Sequence, residues 1–166
     1  MRPQIKHKSL IIYGYALPIF GSIMVAVFPL VFHSGAYLHV VKVFQKDISL
    51  AIGVIALSAA ISIPFQVKVF AEDSEIVLHI LKGTEVRKVF MDALHYQSFA
   101  IIIFGIILIL ASTLFPIKYW VGFVLLFCSS FVCFETLSMI SNGRAYADLR
   151  EKILIRSTKE NKVPNQ

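Results

Sequence analysis

Ala100-Ile-Ile-Ile-Phe-Gly-Ile-Ile-Leu-Ile-Leu-Ala111 is the stretch on which the fold class turns. Wound as a helix, it is apolar all the way round, whereas a helix on the surface of a soluble protein keeps a polar face. An apolar circumference means that lipid lies outside. Around it, residues 93–117 contain no Asp, Glu, Lys or Arg, and the same holds for residues 9–41 and 48–67. Residues 119–143 carry one charged side chain, Glu135. A helix crosses the hydrocarbon with ~20 mainly apolar residues at ~1.5 Å rise each. The four charge-poor stretches therefore predict an all-helical, polytopic membrane protein with spans over residues 10–32, 48–65, 98–115 and 119–140. Strands of a membrane barrel alternate apolar and polar positions, and these stretches do not.

Composition points the same way. Of the 166 residues 57% are apolar and 16% charged, and the mean hydropathy is +0.76. Soluble domains carry ~25% charged residues, so this chain has too little charge to coat a soluble surface. The basic N-terminus (Arg2, Lys6, Lys8) precedes an apolar run of 23 residues, longer than the core of a cleavable signal peptide, and reads as a retained signal anchor.

Orientation follows the lysines and arginines near the spans. The N-terminus, the loop over residues 66–97 and the tail over residues 144–166 together hold thirteen of them, against Lys42, Lys46 and Lys118 on the opposite side. That bias predicts both termini and the middle loop in the cytoplasm, and a place in the inner membrane. A first domain then covers residues 1–143, with the tail following it. The net charge of +6 belongs to this topology. No recognition helix or aromatic RNA-binding motif accompanies it, so no nucleic-acid partner is expected, while anionic lipid head groups are natural neighbours.

Chemistry-bearing motifs are scarce. Cys128 and Cys133 are five residues apart, on different faces of a helix, and form neither a disulfide nor a metal box. The five histidines show no metal-ligand spacing; no phosphate loop, nucleophile elbow or paired intramembrane carboxylate is present. No catalytic residue, metal or cofactor is expected, and the chain reads as a non-enzyme.

One acid stands out. Glu135 falls inside the fourth span, where a carboxylate costs ~2.5–3.5 kcal/mol on insertion scales and usually faces a helix bundle or cavity. Ser138 and Asn142, at i+3 and i+7, share its face and make a polar strip, with His95 and Tyr96 opening the third span, Gln66 and Lys68 closing the second, and Ser9 and Tyr13 opening the first as candidate partners at similar depth. The strip reads either as an ion-responsive site or as a polar seam that locks helices together. Two stripes of small residues predict close helix packing, within a protomer or between protomers: Ser49, Gly53, Ala56 and Ala60 on the second span, and Gly122, Ser129 and Thr136 on the fourth.

The cytoplasmic parts are amphipathic. Asp73 and Ser74 can cap a short helix through Lys82, with Gly83 after it; a hairpin turning at residues 72–74 is the alternative. From Thr84 a second helix carries Val86, Val89 and Phe90 on one face, Arg87 and Lys88 on the other, and leads into the third span. The tail repeats the pattern with Leu149 and Ile153. These apolar faces have three candidate partners: each other, the membrane interface, or a soluble cytoplasmic protein.

The expectation is a non-catalytic membrane subunit, a homo-oligomer that docks a soluble partner and senses or alters the membrane. The alternative is an oligomeric channel or small transporter that uses Glu135. In size and span layout the chain is similar to two groups of small bacterial four-span proteins: the immunity proteins against pore-forming colicins, and the membrane subunits of Kiwa-type antiphage systems. That resemblance implies a setting in defence or immunity and assigns no residue a role.

Overall fold

The computed structural model describes residues 7–32, 35–71 and 86–160, all helical apart from short turns. Five helices are found there: α1 (His7–Phe32), α2 (Ala36–Lys46), α3 (Ser49–Ala71), α4 (Val86–Leu114) and α5 (Tyr119–Glu160). The short helix expected to end at Lys82, its capping residues and the alternative hairpin lie outside the described residues.

Two helices, α4 and α5, are long and apolar enough to cross a membrane. Of α1 and α3, the described apolar stretches are Ala16–Val31 and Ser49–Pro64, within helices of 26 and 23 residues; α1 and α2 together would pass as one span but for the 118° bend between them. The charge-poor stretches predict four spans, so length and composition support two of the four directly.

α2 is an addition to the sequence reading, which leaves residues 33–47 between the first and second spans without a helix. Tyr37, Val40, Val41 and Phe44 recur at helical spacing on one face, with Lys42 and Lys46 off it. That face is seated in the protein: Tyr37 and Val41 are buried, and Val40 and Phe44 pack on the core. The Tyr37 hydroxyl donates to the carbonyl of Ala26 in α1, and Gln45 Nε2 donates to the carbonyl of Phe115 at 2.7 Å. The reversal into α3 is held by Asp47, whose Oδ1 accepts the Ser49 N–H at 3.0 Å.

α4 and α5 form a helical hairpin. Pro116 cannot continue α4, because it lacks an N–H. Lys118 then opens α5, its carbonyl accepting the N–H groups of Val121 (3.1 Å) and Gly122 (3.3 Å). α5 is the hub against which all four other helices pack. α1 lies along it with no extensive contact to α3 or α4 among the described residues, so the layout is not a closed square bundle. Gly21 permits the α1 approach, since a Cβ there would stand 2.9 Å from the Phe134 ring.

Among the described residues two apolar clusters lie on α5, an outer one nearer the α4–α5 turn and an inner one farther from it. The outer one joins Val121, Leu125 and Cys128 to Val41, Ala51, Leu108 and Ala111; the inner one joins Val132 and Met139 to Leu94 and Ile101. Phe104 bridges them, 4.1 Å from the Phe131 ring centre and 5.9 Å from that of Phe127. Outside, Phe20, Met24, Phe28, Ile102, Ile106 and Leu114 are exposed. In water such a surface would drive aggregation. Against lipid it is a solvent-matched surface, and close packing rather than hydrophobic burial holds the helices together.

Candidate functional site: a polar seam between α4 and α5

The hairpin sets the register of the site. Counted from its turn, Gln97 lies seventeen residues before Leu114 and Glu135 sixteen after Tyr119. At helical rise both stand ~25 Å from that end, at the same level of two antiparallel helices. Gln97, Glu135 and Ser138 are buried, with Glu135 only 1% exposed, and Asn142 is half-buried below them.

The hydrogen bonds run between the helices. Gln97 Nε2 donates to Ser138 Oγ at 3.0 Å, and Asn142 Nδ2 donates to Gln97 Oε1 at 3.3 Å. Gln97 is also the polar neighbour of the Glu135 carboxylate. Its amide is committed to Ser138 and Asn142, however, and neither carboxylate oxygen has a hydrogen bond of ordinary geometry among the described residues. The apolar inner cluster of Leu94, Ile101, Val132 and Met139 belongs to the same pair of helices. A buried charge without partners costs several kcal/mol, so this carboxyl group is the least satisfied polar feature of the described interior.

Glu135, Ser138 and Asn142 are thus brought together. His95 is not: it is exposed, and two residues from Gln97 means the far side of the helix. Gln97 takes the place expected of it. The signal for Gln97 was available, because Phe90, Leu94, Gln97, Ile101 and Leu108 recur at helical spacing along one buried face of α4.

The small-residue stripes separate. On α5, Gly122 is buried so closely that a Cβ would stand 2.5 Å from the Tyr37 carbonyl oxygen. Thr136 is buried and its hydroxyl donates to the Val132 carbonyl (2.8 Å); Ser129 is half-buried and donates to that of Leu126 (3.2 Å). On α3, Ser49, Gly53, Ala56 and Ala60 are exposed, and a Cβ on Gly53 would meet nothing within 4 Å. As packing residues inside the protomer these four are corrected. The face that α3 buries carries Ala51, Ser58 and Ser62. Small residues occur on most sides of α3, so their spacing does not choose the face. Ile55 helps to choose it, its side chain filling the space beside Gly105 of α4.

The expected docking face is partly used within the chain. Phe90 is buried against Tyr146, ring centres 5.3 Å apart, and ties the foot of α4 to the extension of α5. Val89, Leu149 and Ile153 are half-buried and Lys88 is exposed. Val86 and Arg87 open α4, and their side chains lie outside the described residues.

At the opposite end, Leu30, Tyr37, Tyr119, Trp120 and Phe123 line an open apolar groove of about 500 Å³. Among the described residues no three His, Cys, Asp or Glu side chains gather to hold a metal ion. No protein-family model, curated protein or solved structure matches this chain.

Proposed function

We propose that the chain is a non-catalytic subunit of the bacterial inner membrane, with four spans and both termini in the cytoplasm, that docks a soluble partner on a helical stalk. The observation that carries this reading is the continuity of α5. It runs 42 residues without a break, ~63 Å at helical rise and about twice the hydrocarbon thickness. Its second half is the basic part of the tail, braced by Phe90 on Tyr146. Beyond the brace, Leu149, Ile153 and Leu154 are half-buried and Ile155 is 47% exposed. An unbroken helix that leaves the bilayer as a braced, partly apolar ridge can pass a push or tilt from partner to membrane.

The test is affinity purification of the full chain in mild detergent, with mass spectrometry and native mass. A stoichiometric soluble protein is expected, and it should be lost from the double variant Leu149→Glu, Ile153→Glu while membrane insertion is unchanged. Finding no such protein, or equal retention by the variant, overturns the reading.

A second reading is an ion pathway through a homo-oligomer, favoured by the unpartnered carboxylate of Glu135. A slim protomer cannot enclose a pore alone, so it requires a ring of copies. Liposome flux that Glu135→Gln abolishes would establish it.

A further inference from the structure

Glu135 is 1% exposed, and neither carboxylate oxygen has a hydrogen bond of ordinary geometry among the described residues. Its charge needs compensation, and among the described side chains no lysine or arginine stands at that depth. Residues 9–41, 48–67, 93–117 and 119–143 contain no Lys or Arg, so an equivalent span of a second copy would supply none either. The polar neighbour of the group is the Gln97 amide, which donates from Nε2 to Ser138 Oγ and accepts at Oε1 from the Asn142 amide. Each of these three side chains carries an oxygen able to act as a hard, neutral ligand, beside the one formal negative charge of Glu135.

We infer that Glu135, Ser138, Gln97 and Asn142 form a binding site for a single monovalent cation of sodium type. Charge decides the valence, because one carboxylate neutralises one positive charge and a divalent ion would leave a net charge buried. The two amides make the site adaptable. With Gln97 Nε2 towards Ser138 and the carboxylate, the seam offers a donor, which suits an empty site. A half-turn about the last bond of each amide exchanges its nitrogen and oxygen, and such terminal torsions are roughly two-fold. The contact between the amides, 3.3 Å here, survives with Gln97 donating to Asn142. Gln97 Oε1 then faces Ser138 and Glu135 as a cation ligand. The site stands apart from partner docking, and Glu135→Gln should leave capture of a soluble partner unchanged.

The experiment measures the thermal midpoint of the detergent-solubilised full chain in choline chloride, with sodium chloride substituted at constant ionic strength. A saturable rise with sodium is expected, because a ligand that binds only the folded state stabilises it. Potassium should give little, and Glu135→Gln should be insensitive to sodium. Equal midpoints in sodium and choline, or a rise that Glu135→Gln retains, overturn the site. Carbodiimide modification of Glu135, read by peptide mass, is the second measurement. Sodium should slow it at least tenfold in the wild-type chain and less in Gln97→Leu. Equal rates in sodium and choline would mean that a proton is the only occupant and would overturn the cation site.

Discussion

α5 and α3 are both apolar helices threaded with small residues, and they use them in opposite ways. On α5, Gly122 admits the backbone of Tyr37 so closely that no side chain fits. On α3, Gly53 faces open space, and the protein is met instead by Ala51, Ser58 and Ser62. The difference follows from position in the fold. α5 is touched by every other helix, so most of its faces are approached by something. α3 is approached from one side. A missing side chain stabilises a helix contact only where partner atoms fill the space, because dispersion attraction fades within an ångström of gap. In lipid, where hydrophobic burial between helices is weak, that distinction carries most of the packing energy.

Four substitutions sharpen or break the contrast. The largest effect is expected from Phe90→Ala, which removes the ring buried on Tyr146. It should cost about 3 kcal/mol and show as faster proteolysis in the tail after residue 143. Next is Gly122→Val, whose Cβ collides with the Tyr37 backbone. Overpacking of this kind costs about 2 kcal/mol, read as a lower thermal midpoint in detergent. Tyr37→Phe removes the hydroxyl that donates to Ala26 and should cost about 1 kcal/mol in the same assay. Smallest is Gly53→Leu, within about 0.5 kcal/mol of wild type. A loss as large as that of Gly122→Val, together with a fall in native mass, would break the comparison and show that a second copy covers the open stripe of α3.

The same contrast explains which parts of the site were legible. Glu135, Ser138 and Asn142 could be grouped from their spacing, because all three ride one helix and helical geometry alone puts them on one face. Gln97 belongs to α4, and its place beside Glu135 depends on where the hairpin turns at Pro116. His95 sits at nearly the same depth and was the wrong choice, because depth does not give angle: two residues along a helix is more than half a turn. α2 was missed although Tyr37, Val40, Val41 and Phe44 carry the amphipathic spacing, since a segment of 11 residues with mixed polarity resembles a connector until a core receives it.

The sequence by itself determined that the protein is helical and suited to a membrane. Those properties depend on the summed transfer of side chains and on local periodicity, both of which are read along the chain. It also singled out Glu135, because an acid in an apolar stretch is costly wherever the helix is put. Only the tertiary structure decided that Gln97 and not His95 faces that acid, that α3 turns its glycine outward, that Phe90 packs on Tyr146, and that α2 packs on the core beside the α4–α5 turn. Each of these is a choice of rotation about a helix axis. In a chain this rich in apolar and small residues several rotations look alike locally, and the contacts of neighbouring helices select one.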